Sequence, residues 1–351
     1  MKRRIQIGII GAGKNTTTVH IPRFLDIPNV QVVAVCNRSR ESGDDVADRL
    51  GIPQVYTDWR ELLRDEAIDA ILIGTWPYTH CEMTCEALAA GKHVLCEARM
   101  AMNAEQAHRM LRASREHPDL VAQLVPSPFT LELDGTIRRL LHEDRYVGGL
   151  FFVDIYGASG GFADLDGPLT WRQDAALSGL NTLAMGIWYE ALARWVGHAA
   201  RVMASSRVHV NQRRDVEGRM QAITVPDHVD VLADLACGAR ARLQCSDVTG
   251  HSPSPWSAYF YGRDGTLRLD ARDNALCGAR RGEEQFSEIV PLESERRSWR
   301  VEEEFVGAIR GTETVKLTTF EDGVRYMEFT EAVAVSSREG RAVSLPLDRG
   351  R

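Results

Sequence analysis

The short apolar run from Ile5 to Ile10 ends at Gly11-Ala12-Gly13, and Thr16 to Leu25 then takes up helical spacing. A strand that turns straight into a helix through two glycines leaves the chain few folds to choose from. The first glycine permits the tight turn, and the second lets bare backbone approach an anion at the helix start. Placed at the opening of a βαβ unit, this is the context that makes the pattern a dinucleotide fingerprint. Its third position, usually a glycine that allows close helix–strand packing, is Thr16, whose hydroxyl is expected to cap the helix. Gly11, Gly13, Lys14, Asn15 and Thr16 are therefore the expected phosphate-side residues.

The rhythm continues past the turn. Val30 to Cys36 is rich in β-branched residues, as in a strand buried on both faces, and a helix follows from Glu41 to Leu50. Strands at Ala70–Gly74, His93–Cys96 and Leu120–Val125 alternate with helices at Cys81–Ala90 and Ala104–Glu116. Strand alternating with helix predicts an α/β fold whose N-terminal half, residues 1–126, is a Rossmann domain with a doubly wound parallel sheet. After Pro126-Ser127-Pro128 the pattern changes. A helix at Gly135–His142, a strand at Leu150–Tyr156, a Gly/Asp-rich loop and a helix at Leu180–Val196 precede alternating strands between Arg201 and Asp270. Val229–Leu235 and Ala241–Cys245 are the clearest of these, and helices at Val301–Ile309 and Phe320–Arg338 close the chain. Residues 127–351 thus read as an α+β domain on an open, mostly antiparallel sheet, one face of which is solvated or covered by a partner.

The end of the second strand addresses the choice of nucleotide. NAD enzymes commonly place an acid there, about 20 residues on, to bind the ribose 2′-hydroxyl. This chain has Cys36-Asn37-Arg38-Ser39-Arg40. With no carboxylate in that stretch, two guanidiniums and a hydroxyl are available for a 2′-phosphate. The expected cofactor is NADP(H), with NAD(H) also admitted. The alternative, that Arg38 and Arg40 are solvated loop charges, stays open.

Composition narrows the partners. The 351 residues carry a net charge of −7 with both signs interspersed, which gives no reason to expect nucleic acid or an anionic membrane surface. No stretch approaches 18 apolar residues. The seven cysteines and ten histidines form no paired ligand motif, so no metal is expected, and the thiols fit a reducing cytoplasm.

Two further motifs complete a pattern. Ile73-Gly74-Thr75-Trp76-Pro77-Tyr78-Thr79-His80 follows one strand, and Ala89-Ala90-Gly91-Lys92-His93-Val94-Leu95-Cys96-Glu97 spans the next. In this order, after the glycine turn, they resemble the Gfo/Idh/MocA oxidoreductases, the family of glucose–fructose oxidoreductase and inositol dehydrogenase. The likeness is strong over residues 4 to 125. It continues more weakly through Trp171-Arg172-Gln173-Asp174, Ala193-Arg194-Trp195-Val196-Gly197 and Glu303-Glu304-Phe305. The resemblance implies hydride transfer to or from sugars, inositols and related small molecules, and dimers or tetramers formed through the open sheet. It also adds Thr75, Trp76, His80 and Glu97 to the cofactor side.

The departures are equally informative. Where the family usually continues Glu-Lys-Pro, this chain has Glu97-Ala98-Arg99, and the missing proline removes the built-in reason for a cis peptide there. The family's Asp and His positions are Ala184 and Trp188. The lysines, Lys2, Lys14, Lys92 and Lys316, offer no substitute by position. Tyr189, beside the replaced histidine, and Glu97 are the candidate catalytic groups. Arg99, Arg172, Asn181 and Trp188 are the candidate substrate contacts, with core or surface roles as the alternative for each. Three functions follow: an NADP-dependent oxidoreductase with a rearranged proton relay, an imine or alkene reductase or redox-assisted lyase or isomerase, and a non-catalytic NADP-binding regulator.

Overall fold

The computed structural model describes residues 4–348, and two compact units emerge. The first runs to Pro126 and takes in Arg300–Val324, a segment that sequence patterning alone assigns to the second domain. The second comprises Ser127–Trp299 and the chain from Arg325 onward.

The first unit holds six parallel strands: β1 (Ile5–Ile10), β2 (Val30–Cys36), β3 (Gln54–Tyr56), β4 (Ala70–Ile73), β5 (His93–Cys96) and β6 (Ala122–Leu124). Their order, β3-β2-β1-β4-β5-β6, is the doubly wound arrangement, with its switch point between β1 and β4. The connecting helices are α1 (Ile21–Asp26), α2 (Arg40–Leu50), α3 (Trp59–Arg64), α4 (Pro77–Ala89) and α5 (Ala104–Glu116). Sequence periodicity does not reveal β3 and α3, which are too short at three and six residues to show a period. The helix expected from Thr16 begins as a wide π-type turn, Thr16–His20, and only then becomes α1.

The Thr16 hydroxyl does not cap that turn. It donates to the Gly11 carbonyl at 3.2 Å. The room that a third glycine would have provided comes instead from Gly74, where an added Cβ would lie 2.3 Å from Thr16 Oγ1 and 2.5 Å from Gly11 O. Gly11 itself has φ +86°, a conformation that only glycine takes up without strain. Lys92 is buried as well, its ammonium donating to the carbonyls of Asp65 and Ile68 at 2.8 and 2.7 Å.

The second unit contains α6 (Leu131–Arg138), β7 (Leu150–Ala158), α7 (Ala175–Ser178), α8 (Met185–Val196), β8 (Ala199–Arg207), the small hairpin β9 (Gln212–Arg214) and β10 (Met220–Ala222), β11 (His228–Leu235), β12 (Arg240–Ser246), β13 (Trp256–Gly262), β14 (Gly265–Asp270), β15 (Ala275–Arg280) and β16 (Ser287–Glu288). Late in the chain come α9 (Val301–Ile309), within the first unit, then α10 (Phe320–Glu339) and β17 (Val343–Ser344). The nine-stranded sheet runs β16-β15-β14-β13-β7-β12-β11-β8-β17, antiparallel throughout except where β7 pairs with β12. The helix expected from Leu180 starts only at Met185, because Leu183 sits at φ +48° and cannot continue a helical turn. Across one sheet face the register aligns Met203, Leu232, Arg242, Asp154, Tyr259 and Arg268 in a single row. Among the described residues, no helix is long and apolar enough to cross a membrane.

The packing at the switch point yields a direct expectation. Gly74→Ala forces a methyl into Thr16 and the Gly11 carbonyl and should destabilise the protein by about 1–3 kcal/mol, the usual range for overpacking. Denaturant unfolding reads the change, and a neutral substitution would contradict the packing described.

Candidate active site

The glycine turn lies at the carboxyl edge of the parallel sheet and is fastened from below. Asn37, at the end of β2, accepts from the Ala12 N–H at 2.8 Å and donates to the Ser42 carbonyl at 3.1 Å. Its amide therefore shapes the turn through backbone contacts. Gly13, Lys14 and Asn15 are exposed, and a Cβ added at Gly13 would meet no atom within 4 Å. Beside them runs an open groove of about 560 Å³, lined in part by Gly13, Lys14, Thr18, Asn37, Ser42 and Arg49. Bare backbone, an open side and basic residues fit a dinucleotide phosphate.

At the β2 end, Ser39 caps α2 by accepting from Ser42 N, and Arg40 pairs with Asp44 one turn later at 2.9 Å. The Arg38 guanidinium lies over the Trp76 ring, 5.5 Å from its centroid, so the two side chains form one surface between the ends of β2 and β4. Thr75 packs its methyl against Gly11, and its hydroxyl shares a hydrogen bond with Thr79 at 2.6 Å. His80 corrects the sequence reading. It is fully buried, and its ring nitrogens face the carbonyls of Arg99 and Thr75 at 2.9 and 3.1 Å. Burial pushes its pKa down. Its side chain secures the loops after β4 and β5 and has no surface left for a cofactor.

The end of β5 holds the densest chemistry. Glu97 accepts from Asn15 of the glycine turn, from His20 at 3.0 Å and from the Ala98 N–H at 3.1 Å. His20 turns its other nitrogen to Glu302, in the first turn of α9. Burial opposes the charge on His20, but the two carboxylates override it and push its pKa up to about 9. Burial likewise resists ionisation of Glu97, yet the bonds from His20, Asn15 and Ala98 hold its carboxyl below the usual range. Sequence reasoning finds Glu97 and misses both partners. The available signals were a histidine shortly after the fingerprint and three consecutive acids, Glu302 to Glu304, opening an apolar helix.

The Ala98–Arg99 peptide is cis although no proline follows. Arg99 is half-buried. Among the described residues, Lys14 is exposed on the turn, Lys92 is bonded to backbone and Lys316 lies after α9; Lys2 lies outside them.

In the second unit, two expectations are corrected. Tyr189 is 1% exposed, stacks on Phe329 with ring centroids 3.6 Å apart, and accepts at its hydroxyl from the Ala199 N–H at 3.0 Å. Burial pushes its pKa up to about 12. A phenol so placed closes the α8–β8 corner and does not donate to a substrate. Trp188 is likewise fully buried, against Phe129 and Trp256, and a Cβ at Gly157 would come within 2.6 Å of its ring. It is a core residue, and so forms no substrate wall. Arg172 is exposed and lies over the Trp171 ring, while Asn181 donates to the Ser178 carbonyl at 2.7 Å. Glu190 pairs with Arg194 at 2.9 Å, as its spacing suggests.

Comparisons with known proteins place this architecture. The family model described as "Oxidoreductase family, NAD-binding Rossmann fold" matches residues 5–123, and the "GFO/IDH/MocA C-terminal domain" matches residues 136–268. The trans-1,2-dihydrobenzene-1,2-diol dehydrogenase of Mus musculus is 26% identical over 269 residues, 75% of this chain and 73% of the mouse protein. The myo-inositol 2-dehydrogenase of Thermotoga maritima is 28% identical over 112 residues, 32% of this chain and 33% of that one. Among solved structures, levoglucosan dehydrogenase in complex with NADH and L-sorbose superposes with a TM-score of 0.82 at 19% identity, covering 98% of this chain and 99% of that one.

The placement of Tyr189 can be checked by mutation. Tyr189→Phe loses one buried hydrogen bond and should cost about 0.5–1.5 kcal/mol of stability while leaving kcat unchanged. A specific loss of kcat at full stability would return the phenol to the reaction.

Proposed function

Because this chain belongs to the Gfo/Idh/MocA family of NAD-binding oxidoreductases, we propose that it interconverts a carbonyl and a hydroxyl on a sugar- or polyol-like substrate, with NADP(H) preferred over NAD(H). The observation that carries the cofactor preference is the β2 end. Residues 37–40 offer Arg38 and the N-terminus of α2 and no carboxylate. Arg40 joins them at little cost, since its exposed pair with Asp44 is worth only about 0–1 kcal/mol. The relatives' names, a diol dehydrogenase, an inositol dehydrogenase and a sugar-binding neighbour, support the substrate class.

When bound, the nicotinamide supplies the hydride, and the protein must supply binding, orientation and a path for one proton. Gly11 and Gly13 let the phosphates approach, Lys14 and Arg38 add charge, and Trp76 offers a flat apolar surface beside Arg38. With Tyr189 buried, Glu97 is the acid–base candidate that remains from the sequence. Arg99, Arg172 and Asn181 are assigned to the substrate.

We assign the sheet row of Met203, Leu232, Arg242 and Tyr259, in which Met203 and Leu232 are exposed and Arg242 and Tyr259 half-buried, to a second copy of the chain, giving a homodimer or homotetramer, and place the protein in the cytoplasm, in keeping with its seven free thiols.

The cofactor assignment is tested by fluorescence titration with both reduced dinucleotides. Arg38→Ala should weaken NADPH about 10- to 100-fold, the loss of a charged hydrogen bond of roughly 1.5–3 kcal/mol, and leave NADH nearly unchanged. Equal affinity of the wild type for both would overturn the preference.

A further inference from the structure

Glu97, His20 and Glu302 form a chain that leads inward. The Glu97 side chain is 14% exposed, whereas those of His20 and Glu302 are fully buried. One carboxylate sits on each ring nitrogen of His20, and only an imidazolium can donate from both. A neutral ring would leave one buried carboxylate facing a lone pair, a steep penalty for an unpaired ion. The charged form is therefore the resting state. Among the groups facing His20 are Glu97 from the β5 end, Glu302 from α9 and the neutral amide of Asn15 at 3.4 Å. Next to Glu97 stands Ala98, at the position where the family resemblance implies a lysine that handles the proton.

We infer that this buried chain takes the lysine's place: His20 stores the proton, Glu97 passes it between His20 and the substrate oxygen, and Glu302 holds His20 charged and in register. The inference rests on the oxidoreductase reading above. In the reducing direction the substrate carbon takes the hydride and its oxygen takes one proton from Glu97. Glu97, ionised at rest, receives that proton from His20 Nε2 as it passes it on, so it ends as a carboxylate and His20 as a neutral ring with Nδ1–H donating to Glu302. Water reprotonates His20 through Glu97 after the product leaves. Oxidation runs the same steps backwards. Here Glu97 touches the substrate, and His20 and Glu302 are positioning residues that act through it.

The sign of the pH dependence follows. Reduction needs the imidazolium, so its rate falls as pH rises through about 9, and oxidation, which needs the neutral ring, rises over the same interval. Nuclear magnetic resonance of the free protein with labelled histidine gives the titration of His20 without any substrate. It should lie near 9 and fall by at least about one unit in Glu302→Gln, with the limb of kcat/KM for reduction moving down in parallel. His20→Asn should lose about 10²–10³ in kcat/KM while NADPH affinity stays within about threefold. If that variant does not fold, the wild-type titration and the Glu302→Gln limb still decide. A His20 titrating at its ordinary 6.5, or a limb that stays put while the titration moves, overturns the relay. A titration near 9 in a protein that turns over no sugar or polyol overturns the proposed function instead.

Discussion

A single imidazole holds together three pieces of chain that lie far apart in sequence. His20 follows closely on the nucleotide turn, Glu97 ends β5, and Glu302 opens α9, which returns to the first unit after the whole of Ser127–Trp299. The same return packs Phe305 edge-on against Phe24 of α1 and lets Glu304 accept from the Lys316 and Leu317 N–H groups at 2.9 Å. The buried charges gain little net stability from pairing, because desolvation cancels most of their attraction. Their value is in fixing geometry: with Asn15 also bonded to Glu97, the glycine turn is tied to the end of β5.

Much of this is legible in the chain. The glycine turn, the β-branched second strand and the alternation of elements point to the parallel sheet, and Val301–Ile309 coincides with α9. Elements short enough to lack a period, β3 and α3, are not legible. At the site, Glu97 is readable because it adjoins a recognisable motif. His20 and Glu302 are not, since their meaning lies in a contact across 282 positions that no local pattern encodes. Tyr189 misleads for the opposite reason. Its neighbour in sequence suggests a role, and the helix turns its phenol toward Phe329 and Ala199.

The replaced family positions show how a fold absorbs such changes. Thr16 takes the place of a small residue, and Gly74 opposite it leaves room. Trp188 occupies the histidine position, and Gly157 lies against its ring in the same way. Each of these side chains is part of a packed core, and Trp188 is fully buried.

If Glu97 and its partners do the work of the absent lysine, restoring that lysine is the most direct test. Ala98→Lys in the wild type should change turnover little, whereas in a Glu97→Gln background it should recover most of the roughly 10²–10⁴-fold that acid–base catalysis is worth. A wild type that accelerates by orders of magnitude on the Ala98→Lys substitution alone would show that the native chain has no working proton path, and would contradict the relay.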